Sequence, residues 1–107
     1  MKTRDVELHT GLTVGGETVK HVTVRESNIG DIIDAEKDAE GHLTRFTVEN
    51  VRRRIVRFGN LDGPISMDIM RKLTETDFEL INQACVAIDK EAQAEFEQRG
   101  RLGGGDS

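Results

Sequence analysis

FTVENVRRRIVRFGNLDGPISMD, residues 46–68, decides the fold, and its first half reads two ways. Phe46 and Val48 alternate as in a strand. On a helical wheel, at about 100° per residue, Leu43, Val48, Val51, Ile55 and Phe58 fall on one broad side. Thr47, Val48 and Val51 are poor helix formers, yet the wheel predicts a helix over residues 47–58 and leaves 43–48 open between strand, loop and helix. Gly59 then ends that helix, Gly63-Pro64 turns the chain, and Ser66 caps the next helix. Two glycines this close also invite the thought of a phosphate cradle. That loop needs G-x-x-x-x-G-K-[ST], so that amides wrap the phosphate and a lysine reaches it. Here Pro64, the only proline, removes an amide donor directly after Gly63. The stretch therefore reads as a connector, with Leu61 and Ile65 holding it to the core.

Outward from this segment, the N-terminal side reads as a β-hairpin. In DVELHTGLTVGGETVKHVTVRE, β-branched residues dominate both arms, and Gly15-Gly16 suits a tight turn. Alternation puts Val22 and Val24 on one face and Val19, His21 and Thr23 on the other. SNIGDIIDAEKDAEGH follows as a helix. Ser27 or Asn28 can cap it, Ile29, Ile32, Ile33 and Glu36 keep helical spacing, and Gly41 stops it. On the C-terminal side, a short helix carries Ile69, Met70 and Leu73. The longest helix is expected over residues 75–98, opened by TETD as a capping box with Asp for Glu. Its stripe of Phe78, Ile81, Cys85, Ile88, Ala92 and Phe96 steps by threes and fours, as a coiled-coil seam does. Gly100 is read as its end.

The fold class is therefore α+β, mainly α. An N-terminal β-hairpin is followed by three or four helices in one small domain over residues 1–100, with a flexible Gly-rich tail at 101–107.

The chain has 107 residues, with 36% hydrophobic, 33% charged and no Trp or Tyr. One modest aliphatic core is what this supports, burying roughly 60–70% of the unfolded surface. A net charge of −5 weighs against nucleic acid as a partner, because phosphate neutralisation supplies most of that affinity. The one cysteine, Cys85, allows no intrachain disulfide and no cysteine zinc site. Neither a signal peptide nor a membrane span is visible. A soluble cytosolic protein is expected.

Arg52, Arg53, Arg54 and Arg57, with Arg45 nearby, form the most basic feature. Their first reading is the solvated face of an amphipathic helix. Arginine also pairs bidentately with carboxylates, so Arg52, Arg53 and Arg57 are candidates for contact with an acidic partner or with the acidic run Asp31–Glu40. No aromatic interleaves them for base stacking. His9, His21 and His42 lack metal spacing, and Cys85 reads as a small core hydrophobe. Nothing asks for an enzyme, a metal or a cofactor. On the last helix, Ile81 and Cys85 are expected inside, while Ile88, Ala92 and Phe96 are offered to a partner helix or a second copy.

The order of segments LTVGGETVKHVTVRE, IGDIIDAEK, RRRIVRFGNLDGPIS and MRKLTETDFELINQA resembles the tail assembly chaperones of Mu-like, contractile-tailed bacteriophages. The likeness spans residues 8–90 and rests on no catalytic motif. It implies a non-enzymatic helper that binds the tape measure protein, a long helix-rich chain, keeps it soluble and brings tail-tube subunits to it. It also implies action in the host cytoplasm and absence from the finished virion. In that family a longer form often arises by frameshifting, and the Gly-rich tail would suit a linker to such an extension. The alternative is a small phage regulator that binds nucleic acid or a host protein through the arginine helix.

Overall fold

The β-branched arms pair as read. β1 (Thr3–Val14) and β2 (Glu17–Arg25) form an antiparallel hairpin, and Gly15 and Gly16 close it with positive φ. The computed structural model describes residues 1–102. Of the tail expected at 101–107, Arg101 and Leu102 belong to the last helix, and residues from 103 onward, with the linker reading, lie outside the described residues. Around the hairpin stand two further strands and four helices: α1 (Ile29–Ala39), α2 (Leu43–Arg54), β3 (Ile55–Phe58), β4 (Leu61–Asp62), α3 (Met67–Met70) and α4 (Glu75–Leu102). The strands make one antiparallel sheet in sequence order, with α1 and α2 inserted between β2 and β3. The class is α+β, as expected, but the sheet is larger than a hairpin.

The helix expected over residues 47–58 is corrected at both ends. It begins at Leu43 and stops at Arg54, and Ile55 turns to extended backbone with ψ 116°. Ile55–Phe58 instead pairs with β2, matching Val22 to Phe58 and Val24 to Ile55. The register shifts between Thr23 and Val24. That irregularity lets Ile55 and Phe58, three residues apart, both reach the core. A spacing of three in a strand imitates a helix, and this misled the wheel. The same happens at Val19, expected opposite Val22. The β1–β2 register shifts between Glu7 and Leu12, and Val19 is buried along with Val22.

Gly59 does not end a helix. It turns β3 into β4 at φ 62°, and its N–H donates to the His21 carbonyl. Gly63 is not a plain connector either. Its N–H donates to the Val56 carbonyl at 2.8 Å, and a Cβ there would stand 1.7 Å from the Ile55 oxygen. The Gly63–Pro64 peptide is cis. Ile65 is buried, whereas Leu61 is exposed and does not hold the turn to the core.

Local chemistry explains the helix starts. Asn28 and Asp31 form a reciprocal capping box on α1, and left-handed Glu40 followed by Gly41 stops it. The Ser66 hydroxyl accepts from the Ile69 amide at the start of α3. The Thr74 hydroxyl accepts from the Asp77 amide at the start of α4, which runs through Gly100 to Leu102. α4 lies across β1 and β2. α2 touches α1, α3 and α4, and α1 packs chiefly on α2. The core joins Leu8, Val22, Val24, Val51, Ile55, Phe58, Ile81 and Ile88 between sheet and helices.

Candidate partner-binding surfaces

The arginines divide by position along α2 and β3. Arg52 donates to the Glu49 carboxylate at 2.8 Å and to the Ile65 carbonyl at 3.0 Å. Arg53 donates to the same carboxylate at 2.6 Å and also pairs with Asp38 of the acidic run. Arg54 is buried, where it grips Asp89 at 2.7 Å and the carbonyls of Arg25 and Cys85. Arg57 stands well exposed, paired across the β3–β4 turn with Asp62 at 3.0 Å, and Arg45 is exposed on the first turn of α2. A solvated arginine face is therefore not what the fold builds. Burial pushes the Glu49 carboxyl up, but Arg52 and Arg53 outweigh it and hold the group below its ordinary value.

Two aspartates at helix starts are buried and bind groups outside their own helices. Asp77 is fully buried and accepts backbone hydrogen bonds from His9, Thr10 and Gly11 at 2.7–3.2 Å. These amides sit where the β1–β2 ladder is interrupted, so the carboxylate supplies the acceptors that β2 does not. Gly11 adopts φ 81° there, and a Cβ would come within 2.8 Å of the Val19 carbonyl oxygen. Burial opposes ionisation of Asp77, but the amides of Thr10, Gly11 and His9 hold its carboxyl below the usual range. Asp31 is gripped bidentately by Arg25 at 2.7 and 2.9 Å. That hydrogen-bonded guanidinium keeps its carboxyl low against the opposing effect of burial. In sequence, a TETD box hides the first role and an acidic helix start hides the second.

The stripe of α4 splits later than expected. Ile81 and Cys85 lie inside. Ile88 does too, at 0% exposure, which corrects its place among residues offered to a partner. Its turn of helix still lies over the sheet, within the core cluster. Ala92 is half-buried, and Phe96 is 70% exposed beyond the sheet's reach. Beside Phe96, an open depression is lined by Met1, Lys2, Ala92 and Glu95. A second depression lies between α2, α3 and α4, lined by Val48, Met70, Leu73, Phe78 and Leu80.

α1 packs by its small and polar residues. Its buried residues are Asp31, Ala35 and Ala39, and its isoleucines face solvent. Small alanines suit the close approach of α2, and Asp31 is drawn to Arg25, so the opposite face must turn outward.

Among the described residues, no helix is long and apolar enough to cross a membrane, and no group of three or more His, Cys, Asp or Glu is placed to hold a metal ion.

Comparison with known proteins gives a consistent answer. The family described as "Tail assembly protein gp41" matches residues 8–101. The Mu-like prophage FluMu protein gp41 of Haemophilus influenzae is 34% identical over 108 aligned residues, covering 89% of this chain and 85% of that protein. The probable tail assembly protein gp41 of Escherichia phage Mu is 35% identical, covering 76% of this chain and 65% of that protein. A second phage Mu protein, the probable tail assembly protein FS-gp41, is 34% identical, and the match takes in 72% of this chain but only 47% of that longer relative. No solved structure matches. The chain belongs to this family of Mu-like phage tail assembly proteins.

Proposed function

We propose that this member of the gp41 tail assembly family is a chaperone: it binds the phage tape measure protein, keeps that chain soluble and helps bring tail-tube subunits to it. The role is binding rather than catalysis, carried out in the host cytoplasm and ended before the virion is complete. The observation that carries this reading is the placing of unpartnered apolar side chains on helices. Ile29, Ile32 and Ile33 on α1 and Phe96 on α4 are all exposed in a chain of net charge −5. Exposed apolar helix faces suit a helical client, and the surrounding charge keeps the pair in solution. The alternative, a regulator gripping nucleic acid through the arginine helix, has less support. Arg52, Arg53 and Arg54 already spend their donors on Glu49, Asp38, Asp89 and backbone carbonyls. The test is co-expression with the tape measure gene of the same phage. The tape measure protein should move to the soluble fraction and co-purify with this chain. Its remaining insoluble, with this chain abundant and folded, would reject the reading.

A further inference from the structure

On the outward face of α1, Ile29, Ile32 and Ile33 are 70%, 40% and 59% exposed. At about 100° per residue, Glu36 continues the same stripe one turn further along, and Glu40 follows it at the left-handed C-cap. Both are exposed, as is Asp34 further round the helix; Lys37 is also exposed on this face, so its end carries three carboxylates and one ammonium. None of the ion pairs among the described residues engages any of the three. The helix therefore presents a two-part face, apolar at its N-terminal end and acidic at its C-terminal end. It cannot roll to hide this face. The bidentate Arg25–Asp31 pair and the Asn28–Asp31 capping box pin its opposite side.

We infer that this face docks a basic amphipathic helix, whose apolar residues cover the isoleucines and whose Lys or Arg residues, one to two turns on, meet Glu36 and Glu40. Charge complementarity selects this occupant. A second copy of the chain fits poorly in either direction. Parallel pairing sets Glu36 and Glu40 against their own like charges, and full antiparallel overlap sets isoleucines against glutamates. An anionic surface or nucleic acid would meet the carboxylates with like charge. Three isoleucines make a small apolar contact, which suits a partner that is later displaced. The site deepens the chaperone reading only in assigning this helix to the client; its chemistry stands on the α1 geometry.

The test uses two labelled synthetic peptide helices. One carries leucines three and four residues apart followed by lysines, and the other has glutamates in place of the lysines. Fluorescence anisotropy with the full chain should show binding of the basic peptide and at least about tenfold weaker binding of the acidic one. The double variant Ile32→Ser/Ile33→Ser should lose about tenfold or more in affinity for the basic peptide while melting as the parent does. Glu36→Lys/Glu40→Lys should reverse the preference. Equal binding of both peptides, no binding of the basic one, or an unaltered double variant would overturn the inference. So would a parent dimer that the double variant dissociates, since the occupant would then be a second copy. Co-expression with the tape measure protein separates the two readings. If the double variant loses the peptide yet keeps that protein soluble, the chaperone role stands and α1 is not where it acts. If the parent binds the peptide but leaves that protein insoluble, the α1 site stands and the chaperone role falls.

Discussion

Helix α1 turns three isoleucines to solvent, whereas the first half of α4 buries Ile81, Cys85 and Ile88. The two helices share a device. Each has an aspartate three residues past the residue that caps it, Asp31 after Asn28 and Asp77 after Thr74. Each aspartate is held by groups outside its own helix, Asp31 by Arg25 and Asp77 by the amides of His9, Thr10 and Gly11. The difference is where the apolar stripe lies relative to that aspartate. In α4, Ile81, Cys85 and Ile88 follow Asp77 at four, eight and eleven residues, so they share its face and turn inward with it. In α1, the isoleucines lie away from Asp31, while Ala35 and Ala39 lie beneath it. An apolar stripe gives a helix two sides, and a buried polar contact decides which side faces in.

The comparison breaks most sharply at Ile88. Ile88→Asp places an unpaired charge in the core and should prevent folding, whereas Ile33→Asp on α1 should leave the protein folded. Far-UV circular dichroism of the pair decides it, and a folded Ile88→Asp protein would show that this turn of α4 is not core.

The aspartates come next. Asp77→Ala strands three strand amides, which at about 1–3 kcal/mol for an unsatisfied buried donor puts the loss near 4 kcal/mol. Asp31→Ala loses a helix cap and the Arg25 pair, but Arg25 keeps the carbonyls of Glu26 and Arg53. Its cost should be smaller, about 2 kcal/mol. Urea unfolding of both variants ranks them, and the reverse order would remove Asp77 as the main clamp. The same groups set the acid response. Asp31, Glu49 and Asp77 all have carboxyls held low in the folded state. Their contribution is present in full above the ordinary carboxylate range near about pH 4 and is lost as pH falls through the depressed folded values. Stability should therefore fall steadily below that range, and Asp77→Ala should flatten the fall.

Much of this was legible from local chemistry. The Gly15-Gly16 hairpin, the Asn28 and Ser66 caps, the long C-terminal helix and the inward placing of Ile81 and Cys85 all follow from turn residues, capping residues and spacing. What could not be read depends on partners far along the chain. Phe58 is a strand residue because Val22 stands beside it, and four residues are too few for periodicity to separate strand from helix. That Arg54 is fully buried could not be read, because arginine is rarely buried without a partner and its partner Asp89 lies 35 residues away. Asp77 serves strand residues 66 to 68 positions earlier. The direction of the α1 face rests on Arg25 and the alanines, which no apolar count weighs.

The smallest effect on stability is expected at Phe96, and there the comparison becomes a question about α4 alone. Its first half behaves as core, while in its last turns Phe96 is exposed as the α1 isoleucines are, with charges of both signs around it. Lys2 pairs with Glu95 at 2.6 Å, and Arg99 lines the same depression. Phe96→Asp removes no buried contact of consequence, since the ring is largely in solvent already. Its melting temperature should match the parent, with a change within about 0.5 kcal/mol. If the end of α4 is a second contact for the client, this variant should still bind the basic peptide through α1 yet solubilise less of the tape measure protein on co-expression. Equal solubilisation would leave α1 as the working face and reduce Phe96 to a solvent-exposed side chain. A large drop in melting temperature would show that the ring is packed, and that the boundary between the buried and offered halves of α4 lies beyond residue 96.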